Sequence, residues 1–369
     1  MNKLKDVELI STGVYLPGEP VAFDNIEDVI GRLDKAPLRI KRMRDKLYNR
    51  VKSLTAVEQC YFAIDHATKE ITESNATMAA KAIKEALKRA DMKPQEIDCI
   101  LLATALPDYR TPPTTPFVQE ELGIERCSEM EIHSNCTGVT KVFQIALDAL
   151  RVGRYKNVVV AYSLLCSPYF ISDYYNQEKV KPEDILLRWI LSDSASAVVL
   201  RAKDNLETGI KVIDVYNMSL GGKLAPGMWA YFGCANYNLR SAFDNGVHHL
   251  AQDYGAVNKT SPRVIATGLK EIIKQSKIKT EDIDYILSTS PSVKIMEETK
   301  ELVVKELSLS PDVSRNQVNN KGYSGGSSVI IGIDEMLDEK RFKPGDLLIA
   351  VVIESSKWMV GGIVLEYVN

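Results

Sequence analysis

Residues 82–104 of this chain read AIKEALKRADMKPQEIDCILLAT, and residues 268–290 read GLKEIIKQSKIKTEDIDYILSTS, an offset of 186 without a gap. Lys84, Glu85, Lys88, Lys93, Ile97, Asp98, Ile100 and Leu101 return as Lys270, Glu271, Lys274, Lys279, Ile283, Asp284, Ile286 and Leu287. Each copy has helical periodicity, then a polar turn, then a short apolar strand. A second block returns at an offset of 187. CTGVTKVFQIALDALRVGRYK (136–156) faces YSGGSSVIIGIDEMLDEKRFK (323–343), with Gly138 matching Gly325, and Arg154, Tyr155 and Lys156 matching Arg341, Phe342 and Lys343. Each of these is a small-residue turn, a helix and an apolar strand. Two collinear blocks at nearly one offset make chance a poor explanation. The chain therefore reads as two similar α/β halves, 1–205 and 206–369, with sheets covered by helices on both faces.

The chain's 369 residues are too many for one simple sheet and ample for a large core. A net charge of −3 lacks the basic surplus of a nucleic-acid binder. No apolar run reaches the roughly 18 residues of a membrane span. The segment Met1 to Glu8 is polar and has no secretory core, so a cytoplasmic location is expected. The six cysteines (60, 99, 127, 136, 166 and 234) form no CxxC pair and read as reduced thiols. The four histidines (66, 133, 248 and 249) lack the i, i+4 spacing of a helical zinc site, so no metal is expected, nor any tightly bound cofactor.

Cys136 sits in Asn135-Cys136-Thr137-Gly138, between a strand-like approach and a helical run from Val139 to Leu150. A thiol at a helix N-terminus meets free N–H groups and the macrodipole, which favour thiolate. Such a thiolate is a candidate nucleophile able to carry an acyl group as a thioester. The bland alternative is a small buried hydrophobe. The repeat pairs Cys136 with Tyr323, so the two helix N-termini are expected to converge as pseudo-symmetry mates on a cleft between the halves.

Five further stretches carry a family resemblance. They are Ser11-Thr12-Gly13-Val14-Tyr15-Leu16-Pro17, the run 101–109 followed by Pro112-Pro113-Thr114-Thr115, His133-Ser134-Asn135-Cys136-Thr137-Gly138, the run 192–200 (SDSASAVVL), and Arg341-Phe342-Lys343-Pro344-Gly345-Asp346. In this order they resemble the thiolase fold, in its β-ketoacyl-[acyl-carrier-protein] synthase III branch. The resemblance covers nearly the whole chain and implies two pseudo-symmetric halves in a layered α-β-α-β-α core. In that family the Cys attacks an acyl-CoA, and a His and an Asn help a malonyl thioester lose CO2 by stabilising the enolate. Aligned to it, Thr289 takes the place of the His and Tyr323 that of the Asn. Glu354-Ser355-Ser356-Lys357-Trp358 stands where the family has a glycine run that helps form its oxyanion hole.

What the resemblance implies is an acyltransferase in fatty-acid-like or polyketide-type metabolism. It would take an acyl group from acyl-CoA or an acyl-carrier-protein phosphopantetheine onto Cys136 and pass it to an acceptor, with Tyr323 and Thr289 as further catalytic residues. Tyr323 can donate a hydrogen bond or act as a base, and Thr289 can only donate. Two alternatives stand beside it. One is a non-catalytic partner that binds a carrier protein, in a heteromer with an active homologue. The other is a decarboxylating synthase with rearranged partners. A homodimer is the family's implied assembly.

Four other features bear on the site. His133 is either a substitute base or a hydrogen-bonded interior residue, and strand alternation turns it away from Cys136. His248 and His249 are expected within a helix, Ala242 to Tyr254, either near the substrate channel or simply packed. Arg39 to Lys52 carries seven basic residues and one acid, with Ile40, Met43, Leu47 and Val51 on one stripe. It reads as a dock for an acidic carrier protein or CoA phosphates, or as a solvated helix face. No Trp precedes Trp189 to grip adenine as in the family, which shifts weight towards a carrier-bound donor. Tyr169, Phe170, Tyr174 and Tyr175 lie in a segment that shapes either a pocket or an interface.

Overall fold

The computed structural model describes residues 3–288, 290, 292–309, 314–316 and 321–368. Ten strands form one sheet: β1 Asp6–Tyr15, β2 Cys99–Thr104, β3 Ser128–His133, β4 Asn157–Leu164, β5 Ser194–Lys203, β6 Gly209–Ser219, β7 Tyr285–Ser288, β8 Ser314–Asn316, β9 Leu347–Glu354 and β10 Met359–Val368. From edge to edge the order is β3-β2-β4-β5-β1-β6-β10-β9-β7-β8. The second five strands repeat the first five about the middle. In each set the first strand pairs antiparallel with the fifth, the fifth antiparallel with the fourth, and the second runs parallel between the fourth and third. The sets meet where β1 pairs antiparallel with β6, at Glu8↔Lys211 and Leu9↔Ile210.

Helices complete the layers: α1 Leu38–Leu54, α2 Asn75–Arg89, α3 Thr115–Glu121, α4 Gly138–Arg151, α5 Tyr254–Ser276, α6 Val293–Leu307 and α7 Ser327–Asp338. On one outer side α2 covers β1, β5 and β4, and on the other α5 covers β6, β9 and β10. Between them lie α4 and α7, each packed against strands of both sets. This is the α-β-α-β-α layering of the thiolase fold. A helix in the middle layer meets protein on every side and must be apolar nearly all round. Accordingly α7 buries Val329, Ile330, Ile331, Ile333 and Met336 together with its first-turn serines. Strands β2 and β4, buried along their whole length, are continuous apolar runs (CILLAT and NVVVAYSL) and do not alternate.

The repeated residues have a shared job. Asp98 precedes β2, and its Oδ2 accepts from the backbone N–H groups of Lys156 and Asn157 at 2.8 and 2.9 Å. Asp284 precedes β7, and its Oδ2 accepts from the Leu347 N–H at 2.8 Å. Each aspartate thus ties the start of one strand to the start of its parallel neighbour. Across the halves, Asp334 of α7 accepts from Thr12 Oγ1 at 2.6 Å and from Arg89 Nη1 at 2.7 Å. Gly361 of β10 lets α4 come close, since a Cβ there would lie 2.1 Å from Thr140 Oγ1.

The region after β6 departs from the expected helix. A short helix, Leu239–Asp244, ends well before His248, and Gly246 at φ +66 turns the chain out of helical geometry. His248 and His249 lie in the turn that follows. Beyond it, Ala251–Gln252 pairs antiparallel with Met228–Trp229 before α5 begins. The basic helix α1 does form, with Ile40 and Val51 buried and Met43 and Leu47 packed on the core. Among the described residues no helix is long and apolar enough to cross a membrane.

Candidate active site

The site is built where the two repeat turns meet. Strand β3 ends at His133, and Ser134-Asn135-Cys136-Thr137 leads into α4 with Thr137 as its N-cap residue. The mate turn, Tyr323 to Gly326, leads into α7. Tyr323 is fixed through its backbone: its N–H donates to the Ile190 carbonyl at 2.8 Å, and its carbonyl accepts from the Ser192 N–H at 3.1 Å. From there its phenol donates to Cys136 Sγ at 3.0 Å. The two positions matched by the repeat are thus in direct contact. Thr289, the third expected site residue, lies outside the described residues.

Cys136 and Tyr323 open on a pocket of about 810 Å³, its mouth included. Leu106, Leu164, Leu187, Ile190, Leu191 and Leu250 supply much of its wall, and Asn135, Gln252, Ser261 and Ser355 its polar points. Among the described residues no acidic or basic side chain lines it. Tyr169, Phe170, Tyr174 and Tyr175 are not in the wall. Phe170 and Tyr175 are buried in the core behind it, while Tyr174 packs edge-on to His248. The 163–190 segment instead contributes Leu164, Leu187 and Ile190 to the wall.

Tyr162 of β4 also reaches the site, which the sequence reading missed. A Cβ on Gly326 would sit 2.7 Å from its ring and 2.8 Å from the Cys136 carbonyl, so only glycine lets the two turns come together. Burial lifts the Tyr162 phenol well above its ordinary range, with the Cys136 sulfur adding to the effect.

Burial works against the expected thiolate. Burial pushes the Cys136 thiol up from an ordinary 9.0 to about 12, and the Glu354 carboxylate adds to that push. The Tyr323 hydrogen bond pulls it back only in part. A helix terminus favours an anion by at most ~2 kcal/mol. A lift of this size corresponds to ~4 kcal/mol, so desolvation outweighs the helix terminus. At rest the Cys136 side chain is therefore a neutral thiol.

His133, His248 and His249 are not part of the pocket wall. His133 is exposed at the end of β3, and its Nε2 pairs with the Ala105 carbonyl at 3.0 Å. His248 lies between the carbonyls of Tyr174 and Ala242, at 2.9 and 3.3 Å, and His249 Nδ1 donates to Asp184 at 2.9 Å. These pairings hold the post-β6 segment against the 163–190 segment. Among the described residues no group of three or more His, Cys, Asp or Glu is placed to hold a metal ion.

Comparison with known proteins places this geometry. Residues 273–366 match the family model for the 3-oxoacyl-[acyl-carrier-protein] synthase III C terminal. The chain is similar to the β-ketoacyl-[acyl-carrier-protein] synthase III of Clostridium perfringens, 25% identical over 354 residues, 94% of this chain and 95% of the relative. The Clostridium acetobutylicum protein of the same name is 24% identical over 352 residues, 94% of this chain and 95% of the relative. Among solved structures it resembles AbyA1, a tetronic acid condensing enzyme, at TM-score 0.80 and 22% identity, covering 98% of this chain and 99% of that one. It also resembles the 3-oxoacyl-[acyl-carrier-protein] synthase III of Aquifex aeolicus VF5, at TM-score 0.74 and 21% identity over 98% and 100% of the two chains. A third likeness is to the priming β-ketosynthase of the R1128 polyketide pathway, at TM-score 0.75 and 17% identity over 100% and 99%.

Proposed function

We propose that this thiolase-fold chain, similar over nearly its whole length to 3-oxoacyl-[acyl-carrier-protein] synthase III proteins, is an acyl-transferring condensing-type enzyme working through Cys136. The observation that carries this reading is the Tyr323–Cys136 contact at the apolar pocket. The wall suits an uncharged acyl chain, brought as a thioester of CoA or of a carrier protein. Cys136 Sγ attacks the thioester carbonyl. The new bond joins acyl carbon to Sγ, the donor's carbon–sulfur bond breaks, and the thiol proton leaves with the departing sulfur. Tyr323 donates to the cysteine sulfur and orients it towards the pocket. An acceptor then takes the acyl group and returns the proton to Cys136.

Relatives named β-ketoacyl-[acyl-carrier-protein] synthase III, and structural likenesses that include a polyketide priming enzyme and a tetronic acid condensing enzyme, support a condensing type of chemistry. A carbon acceptor is the reading they favour. The exposed basic face of α1 offers a surface for an acidic carrier protein, and a cytoplasmic homodimer is the proposed setting. The reading is tested by thiol release. Incubation with apolar acyl thioesters should free the donor's thiol, and Cys136→Ala should abolish the release. The lifted thiol gives the non-catalytic partner reading its own support. That reading requires no thiol release from any donor.

A further inference from the structure

Glu354 ends β9 at a point where its neighbours Ile353 and Ser355 line the pocket. Strand alternation turns Glu354 itself the other way, into the N-terminal turn of α4 behind Cys136. Its side chain belongs to a residue only 2% exposed. Oε2 accepts from Ser134 Oγ at 2.8 Å, from Thr137 Oγ1 at 2.5 Å and from the Thr137 backbone N–H at 3.3 Å. Oε1 accepts from Ser356 Oγ at 2.6 Å. Ser134 Oγ in turn accepts from Lys141 Nζ at 2.7 Å. A free helix-terminal N–H and two hydroxyls, the donors that an incoming anion would use, already hold one.

We propose that Glu354 is a positioning residue that fills this turn as a built-in anion, withholding it from the Cys136 sulfur and keeping the resting nucleophile protonated. This rests on the reading of Cys136 as the nucleophile. Ionising the thiol would set a second negative charge beside a buried carboxylate, where little water screens the repulsion. Charged or titratable groups face Cys136 from each packed element: Glu354 from β9, Lys141 through Ser134 from α4, Tyr323 from the turn before α7, and Tyr162 from β4. Of these, Lys141 is the cation that offsets Glu354. The carboxylate also adds to the upward push on the thiol. Cys136 then attacks by passing its proton to the departing donor sulfur within the pocket, and not through ionisation at the helix terminus.

The test is iodoacetamide labelling of the full chain from neutral to alkaline pH, with the Cys136 peptide followed by mass spectrometry. Three variants are compared with wild type. Glu354→Gln keeps the shape and removes the charge, and should speed labelling below the thiol's titration by about tenfold, one pH unit of displacement. Glu354→Asp keeps the charge and should stay near wild type. Lys141→Met removes the offsetting cation and should slow labelling. A turn that merely loosened would expose the sulfur and speed all three. Glu354→Gln at or below the wild-type rate, or all three variants faster together, overturns the proposal. Labelling needs no acyl donor, so its outcome is separate from whether Cys136 accepts an acyl group.

Discussion

At the scale of the residue, the site is a contest between burial and polar support. Cys136 is lifted to about 12 by burial, and the Tyr323 phenol is the neighbour that eases it back. Tyr323→Phe removes that donor and keeps the ring. Loss of a hydrogen bond of ~1 kcal/mol should slow Cys136 alkylation and acylation by about fivefold, with little change in melting temperature. The sign of the pH dependence follows from the raised value. An ordinary thiol stops gaining reactivity above its titration near 9.0, whereas Cys136 should still be gaining there, and rate against pH at the Cys136 peptide reads this directly. Tyr323 was legible because the repeat sets it opposite Cys136. Tyr162 was not, since it lies in an apolar strand run and only tertiary packing brings it to the turn. Glu354 was legible as part of the stretch that replaces a glycine run, but its turn towards Ser134 and Thr137 was not.

At the scale of the element, two strand-to-helix turns have to touch, and small residues permit it. Gly326→Ala places a methyl group against the Tyr162 ring and the Cys136 carbonyl. Overpacking of this kind costs ~1–3 kcal/mol. The variant should melt lower and label more slowly or more quickly at Cys136 than wild type, while an unchanged melt and rate would mean that the turns are not held together as described. Strands and helices of the repeat were readable because each half gives the same answer twice. The pocket wall from Met228 to Gln252 was not. This segment falls outside the repeated blocks, and Gly246 with its positive φ breaks what reads as one helix.

For the whole molecule, the two strand sets share the α4–α7 layer. Neither set can bury its inner face without the helix contributed by the other, so unfolding should be a single transition. Residues 1–205 expressed alone would leave the α7-facing sides of β1 and β5 exposed, and circular dichroism melting should show no cooperative loss of structure. Asp334 is one of the ties between the halves. Asp334→Ala leaves Thr12 Oγ1 buried without its acceptor and should lower stability by ~1–3 kcal/mol, measured by denaturant unfolding.

The most direct measurement is the intact mass of the protein after incubation with apolar acyl-CoAs and acyl-carrier proteins, beside Cys136→Ala. A gain equal to the acyl group, present in wild type and absent in the variant, is the expected result and names the donor. No gain with any donor, or a gain that survives the substitution, would contradict acyl transfer through Cys136.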